Sequence, residues 1–443
     1  MKITFILPAI GKKPGQKYIG TWKMEPLTIA VLKALTPETV KTEFFDDRIE
    51  LIDYNTKTDL VCITVETYTA RRSYGIAQRF REKGIPVLMG GYHVALCPEE
   101  AGEHADSIII GNGDTVWKNV LQDLKEGRLK PVYHGGIGAY DVRPDKSIFA
   151  GKRYLPVSLV ETGRGCCHGC EFCSISAFYG SRYFCRDHRL ILEDIRASRH
   201  KYTFLVDDNL LADRENALRL FEDITPCKIK WAGQGTLSVA RDEKLLKAMK
   251  KSGCEIILIG FESLDRENLR QMNKSFNDAI GERDELVKRI HDAGIGIYAT
   301  FVFGYDNDDE RTIEDAVEFS KKHKFYTAAF NHLLPFPGTR LYDRLERENR
   351  LLYDKWWLEE GYRYGELAFR PARLSPEKLS RLCRDARKEF SSPKTVLSRG
   401  LASFGRTSPL LWGLFWQMNL RLGEEIDMKM NVPIGGNLDE LPK

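Results

Sequence analysis

Apolar residues recur along this chain in short runs, each followed by a stretch in which they return at helical spacing. "KITFIL" near the start reads as a strand, and "PLTIAVLKALTP" reads as a helix that Pro37 stops. "LVCITVE", the amphipathic "ARRSYGIAQRFREKG" ended by Gly84, "PVLMGG" and "SIIIG" continue the alternation. Strands separated by helices imply a parallel, doubly wound sheet over residues 1–135. Such sheets bind ligands at the carboxyl ends of their strands, here "PAIG", "VETYT", "GGYHV" and "IGNGD". Residues 136–156 show no period and carry Gly, Pro and Asp, as a linker does.

From Val157 the alternation restarts. "VSLVET", "YTFLVDD", "KIKWAGQ", "EIILIGFES", "GIYATFVFGY" and "TAAFNHLLPF" read as strands, with helical stretches such as "ARDEKLLKAMKKSG" and "TIEDAVEFSKKHK" between them. Six β/α units in series predict a partial (β/α)6 barrel over residues 157–344, because a closed barrel needs eight. The pattern then becomes helical and irregular, predicting a small, mostly helical C-terminal domain over 345–443. Its clearest helix is "SPEKLSRLCRDARKEFSS", with Ser375 as N-cap and Glu377 in the first turn.

A chain of 443 residues is long enough for two or three domains. Its 42% hydrophobic and 29% charged content is that of an ordinary globular protein. The 67 basic residues are matched by 63 acidic ones, which gives no reason to expect a nucleic-acid partner. The apolar start is too short for a signal peptide, and no run reaches the roughly 20 apolar residues that span a bilayer. The expected compartment is therefore the reducing cytoplasm, where clustered cysteines favour metal or redox chemistry over disulfides.

Four of the ten cysteines fall within eight residues of "ETGRGCCHGCEFCSISAFYG". Cys166, Cys170 and Cys173 form C-x3-C-x2-C directly after the first strand of the second series, at the mouth of the predicted barrel. Three thiolates on one tight loop can hold three corners of a cubic iron–sulfur cluster and leave one iron open. A structural zinc wants four ligands in two paired halves, and no second C-x2-C lies downstream. Zinc with one of the isolated Cys185, Cys227 or Cys254 stays the alternative; otherwise these three read as packed thiols. Counting from Cys167 gives C-x2-C-x2-C instead.

"GRGCCHGCEFC" at the end of such a strand resembles the radical S-adenosylmethionine enzymes, and the family spacing selects Cys166 over Cys167. The resemblance implies a [4Fe-4S] cluster on Cys166, Cys170 and Cys173. Its open iron takes the amino and carboxylate groups of S-adenosylmethionine, and one electron then cleaves a carbon–sulfur bond of the sulfonium. It also implies an external electron donor of the flavodoxin or ferredoxin type. Phe172 matches the aromatic that packs near the adenine. Asp207, Asp208 and Asn209 in "FLVDDN" stand where relatives often carry a glycine-glycine-glutamate motif for the substrate ammonium, so the departure leaves open which of them makes contact. Gln234 and Thr236 would point into the pocket, Glu262 and Ser263 look like the ribose and carboxylate contacts, and Gly304 would let the backbone approach the adenine.

"LLPFPGT" is similar to a "PxPGT" turn of one branch, the one with an N-terminal cobalamin-binding-like domain; many of its members transfer methyl groups through methylcobalamin. Cobalamin carriers with a lower axial histidine have D-x-H-x-x-G after the first strand, whereas "PAIGKKPGQKYIGTW" has no histidine. His93 in "GGYHV" reads as a turn or packing residue, and Gly90 and Gly91 would let backbone approach a nucleotide-like tail. Three functions follow: a cobalamin-dependent methyltransferase acting on a small or lipid-like molecule, a cobalamin-independent radical enzyme, and a non-catalytic iron–sulfur or zinc module. "SPLLWGLFWQMNLRLG" puts Trp412, Phe415 and Trp416 on a Leu-rich segment. Its simplest reading is a core-packing helix, and a lid or peripheral membrane contact is the other.

Overall fold

The computed structural model of the protein describes residues 1–18, 23–278, 282–404 and 407–439. Strands β1 (Lys2–Leu7), β2 (Lys41–Asp46), β3 (Leu60–Thr64), β4 (Val87–Gly90), β5 (Ser107–Ile110) and β6 (Val132–His134) form one parallel sheet in the order β2-β1-β3-β4-β5-β6. The order reverses between β1 and β3, which is where a doubly wound sheet opens a crevice for ligands. Helices cover both faces, so β1 and β3 are buried nearly throughout.

The sequence pattern misses β2 and β6, and both are edges of this sheet. An edge strand has one free ladder and keeps polar residues; "KTEFFD" alternates only weakly, and "VYH" exposes Val132 and His134. The expected linker is also packed. A 3-10 turn at Lys146–Phe149 puts Phe149 against Phe44 and Tyr154, and Tyr140 is buried between the guanidinium groups of Arg164 and Arg186.

The second sheet runs β7 (Ser158–Val160), β10 (Tyr202–Leu205), β11 (Lys230–Gly235), β12 (Cys254–Glu262), β13 (Gly296–Phe303) and β14 (Thr327–His332), all parallel and paired in chain order. This is the partial six-stranded barrel. Between β7 and β10 the chain makes an antiparallel hairpin, β8 (Gly163–Gly165) with β9 (Tyr183–Cys185), that frames the cysteine loop. Along β12 and β13 alternate residues are fully buried under the outer helices (Ile257, Ile259, Ile297, Ala299, Phe301). The intervening Leu258, Gly260, Tyr298, Thr300 and Val302 are only half-buried and line the inner face. The core lies outside the half-barrel and a hollow lies within.

Residues 345–443 spread over several cores rather than building one of their own. Trp356, Trp357, Tyr362 and Ala368 join the core beneath the first sheet. The helix Pro376–Phe390, capped by the Ser375 hydroxyl as expected, puts Leu379, Cys383, Ala386 and Phe390 on the second. A small cluster of Val396, Leu411 and Phe415 with Tyr326 packs at the start of β14. The chain then returns to the first sheet, where Gly435 N donates to Ile10 O (2.6 Å) and Arg72 pairs with Asp439 (2.9 Å). This last stretch straps the two sheets together.

Candidate active site

Cys166, Cys170 and Cys173 are half-buried at the carboxyl end of β7, and none of the chain's described cysteines is in a disulfide. Their loop is fastened from several sides. Gly169 O accepts from Asn273 Nδ2 (2.6 Å) and from Arg340; Glu171 N donates to Met272 O (2.9 Å), and the Glu171 carboxylate pairs with Arg344 (2.8 Å). His168 stacks on Phe276 with centroids 3.6 Å apart, and its carbonyl accepts from Ser176 Oγ (2.9 Å). A cavity of about 570 Å³ opens beside Cys170 and Cys173, bounded by Ser176, Asn273, Gly338 and Thr339.

The strand ends around the loop carry the residues singled out in the sequence. Asn209 Nδ2 lies 3.7 Å from Cys166 Sγ. Asp208 Oδ2 accepts from Gly165 N (2.9 Å), and its carbonyl accepts from Gln234 Nε2 (3.0 Å). Asp207 is committed to structure: its carboxylate accepts from Thr162 N, Thr162 Oγ1 and Tyr183 Oη at 2.7, 2.6 and 2.9 Å, and burial still pushes it up to about 6. The Thr236 hydroxyl pairs with Ser238 Oγ (2.6 Å), and Ser263 Oγ accepts from Asp265 N (3.1 Å) in a local turn. Phe172 packs against the barrel core. At Gly304 (φ +127°) a Cβ would meet Phe369 at 2.9 Å and Leu333 and Leu379 at 3.3 Å, so protein side chains fill the space that its missing side chain frees.

Glu262 is the least ordinary of these residues. It is buried in left-handed backbone (φ +59°) at a register break in β12, a conformation a non-glycine residue keeps only when its surroundings hold it there. Its carboxylate folds back over Gly260, where a Cβ would lie 2.2 Å from Glu262 Oε1, and pairs with Lys274 Nζ at 2.6 Å. Lys274 is buried too and faces Cys170 and Cys173 electrostatically; its ammonium opposes the burial that pushes the Cys170 thiol up to about 12. Sequence reasoning missed Lys274. The available signal was a lone lysine in "QMNKSFN", twelve residues past a strand end already assigned to the mouth.

The first sheet turns its carboxyl edge toward this mouth. Tyr92, after β4, meets Phe178 edge to face at 4.9 Å; Tyr179 Oη donates to Asn112 Oδ1 (3.3 Å), and both partners belong to the helix Ser174–Tyr179 behind the cysteines. Arg164 in β8 donates to Asp114 Oδ1 (2.8 Å) beyond β5 and also pairs with Glu161, whose carboxyl burial pushes up to about 7. Glu66 after β3 and Tyr92 after β4 are both exposed at this edge. A neighbouring cavity of about 690 Å³ at the ends of β1 and β2 has Tyr18, Arg48, Lys152 and Leu438 on its walls. The expected loop "PAIGKKPGQKYIGTW" runs past this region; its residues 19–22 lie outside the described residues.

His93 is fully buried, with Nδ1 3.3 Å from Thr67 Oγ1 and Nε2 3.1 Å from Glu100 Oε1, and acts in packing. Gly91 does not leave room for a ligand. A Cβ there would strike Val65 O at 2.5 Å, so its role is to let β3 and β4 close together.

The donor set fits a cluster better than a lone ion. Among the described residues no three His, Cys, Asp or Glu side chains converge closely enough to hold one metal ion, as a tetrahedral zinc requires. A cubic cluster takes each thiolate on a different iron, so it does not need the three thiols to converge on one point. Residues 160–320 match the family described as the Radical SAM superfamily. The chain is 27% identical over 379 residues to the bacteriochlorophyllide d C-8(2)-methyltransferase of Chlorobaculum tepidum, covering 79% of this chain and 82% of that one. It is 26% identical over 360 residues to the hopanoid C-2 methylase of Rhodopseudomonas palustris, covering 75% and 66%. The cobalamin-dependent S-adenosylmethionine radical enzyme OxsB, solved with aqua-cobalamin and S-adenosylmethionine bound, superposes with a TM-score of 0.66 over 96% of this chain and 71% of that one at 13% identity, a likeness of fold. The cysteine loop and the half-barrel around it therefore make one statement: residues 160–320 form a radical S-adenosylmethionine domain, and the chain as a whole shares the fold of an enzyme that sets a second parallel sheet against such a domain.

Proposed function

We propose that the protein is a cobalamin-dependent methyltransferase that alkylates an unreactive centre of a small, lipid-like or tetrapyrrole-like molecule. The observation that carries the proposal is the opposition of two strand edges: the loop of Cys166, Cys170 and Cys173 and the helix after it meet the carboxyl edge of the first sheet through Tyr92, Phe178 and Tyr179. Two relatives named for methylation of a tetrapyrrole and a hopanoid support the substrate class.

In this reading Cys166, Cys170 and Cys173 are the cluster ligands and Asn209 orients Cys166. When bound, the cluster supplies an electron to the sulfonium of S-adenosylmethionine, and cobalamin supplies a methyl carrier. The protein's own work is placement. Lys274 balances the negative charge gathered at the thiolates, with Glu262 holding it in position. Asp208 and Gln234 fix the second and third strand ends against each other. Phe172 flanks the adenine, while Thr236 and Ser263 line the remaining wall. Glu66 and Tyr92, exposed at the carboxyl edge of the first sheet, would flank the corrin. A flavodoxin- or ferredoxin-type donor delivers the electron, and the protein works in the cytoplasm, attached peripherally to a membrane that holds a greasy substrate.

The test is product analysis. Protein reconstituted anaerobically with iron and sulfide is incubated with S-adenosylmethionine and a low-potential reductant, with and without hydroxocobalamin. Cobalt retained stoichiometrically through gel filtration, with S-adenosylhomocysteine formed only in its presence, is the expected result. Formation of 5′-deoxyadenosine with no retained cobalt would replace this reading with a cobalamin-independent radical enzyme.

A further inference from the structure

The four most exposed large apolar side chains among the described residues all lie within 24 positions of one another: Leu397 (53%), Leu401 (63%), Phe404 (71%) and Leu420 (57%). Leu397, Leu401 and Phe404 follow one another at helical spacing along and just past the helix Pro393–Ser403, forming a single stripe. Phe404 meets Trp412 edge to face at 5.4 Å, and Trp412 meets Trp416 at 5.8 Å. Trp412, Trp416 and Leu420 lie at successive i, i+4 positions on the helix Pro409–Lys429, so the stripe continues onto it. The opposite side of this helix pair is spent on the protein. Phe415 is fully buried against Tyr326, and Arg399 is buried with its guanidinium donating to the carbonyls of Phe325, Tyr326 and Phe390. The pair is therefore anchored on one side, with an apolar face turned outward that none of the described residues covers.

Charge indicates what covers it. Between Glu389 and Glu424 the sequence carries Lys394, Arg399, Arg406 and Arg421 and no acidic residue. Lys394 and Arg421 are exposed, and neither is in an ion pair with a described residue. A second copy of this surface would bring like charges together. An anionic bilayer would meet the cations with its phosphates, while the indoles and leucines enter the interfacial layer. No helix of the described residues is long and apolar enough to cross a membrane.

We infer that Leu397, Leu401, Phe404, Trp412 and Leu420, flanked by Lys394 and Arg421, form a docking face for the surface of an anionic phospholipid membrane. This face deepens the peripheral attachment proposed above, yet it is measured without cofactor, so its failure leaves the methyl-transfer reading untouched and the reverse also holds. Flotation of the full chain with vesicles of phosphatidylcholine alone, and of phosphatidylcholine mixed with phosphatidylglycerol, is the direct test. The expected result is binding to the mixed vesicles that falls with added salt. The Leu401→Ser/Phe404→Ser variant should bind at least tenfold more weakly while keeping the wild-type thermal unfolding transition and elution volume. Lys394→Gln/Arg421→Gln, which spares the apolar stripe, should bind the mixed vesicles severalfold more weakly. Wild-type protein that does not float with the mixed vesicles, serine variants that float as well as wild type, or a wild-type dimer that the serine changes convert to monomer would each overturn the inference.

Discussion

Two parallel six-stranded sheets face each other in this molecule, and their rims are built in opposite ways. The rim of the second is stitched by side chains: Asp207 to Thr162 and Tyr183, Asp208 to Gly165, Gln234 to Asp208, Glu262 to Lys274. The rim of the first is shaped by backbone. Gly11, Gly91 and Gly111 all have positive φ, and a Cβ on any of them would lie within 2.5 Å of a carbonyl oxygen, of Pro433, Val65 and Gly135 respectively. A stitched rim presents a dense polar wall that can hold a small charged ligand in one pose. A rim drawn tight by glycines leaves its few side chains, Glu66 and Tyr92 among them, open toward a larger guest.

The comparison is broken most completely at the cysteines. Cys166→Ala, Cys170→Ala or Cys173→Ala should each reduce reductive cleavage of S-adenosylmethionine to background, whereas Cys167→Ala, at an exposed thiol, should retain it. Assay of 5′-deoxyadenosine decides. Equal activity in Cys166→Ala and loss in Cys167→Ala would move the ligand set by one residue.

Removing a stitch has the next largest effect. Lys274→Met leaves the Glu262 carboxylate buried without its partner and should cost about 3–5 kcal/mol in urea unfolding. Glu262→Gln/Lys274→Met should recover part of that loss. Cleavage by refolded Lys274→Met should fall about 10–100-fold, with Lys274→Arg close to wild type.

A third effect comes from a stitch between the first sheet and the segment that carries Lys355 and Trp357. Glu100 accepts from His93, Tyr74 and Trp357 at 3.1, 2.8 and 2.9 Å and pairs with Lys355. Burial works against its charge, but these donors outweigh it and hold the carboxyl down to about 2. A depressed carboxylate contributes stability that is complete above its unfolded pKa near 4.5 and is lost as pH falls toward 2. That contribution is about 3 kcal/mol. Glu100→Gln should therefore lower stability at pH 7 and flatten its decline between pH 4.5 and 2, as urea midpoints across that range would report.

The glycine rim yields the smallest of these changes. Gly91→Ala places a methyl 2.5 Å from Val65 O in left-handed backbone and should cost about 2–3 kcal/mol. Gly90→Ala, whose Cβ would meet only Ile109 Cβ at 3.8 Å, should stay within about 0.5 kcal/mol. Thermal unfolding of the two variants side by side measures the difference.

This contrast also explains what could be read from the sequence. The six strands of the half-barrel were all legible, because each lies in a run of apolar or alternating residues ended by a turn. The cysteine loop was legible as spacing. The edge strands β2 and β6 were not, since half of each faces solvent, and the irregular segment over residues 350–370 has no period to read. Gly91 and Gly304 were visible as glycines, but only the fold shows that Val65 and Phe369 occupy the space they free. Lys274 was hidden for a related reason: its partner Glu262 is twelve residues away, and Gly260 is what lets the two meet.

The central claim is that Cys166, Cys170 and Cys173 hold a cluster with one iron left for S-adenosylmethionine. Electron paramagnetic resonance of the anaerobically reconstituted, reduced protein measures this most directly. The account predicts a [4Fe-4S]+ signal whose g-values move when S-adenosylmethionine is added; a spectrum that is identical with and without it would contradict the account.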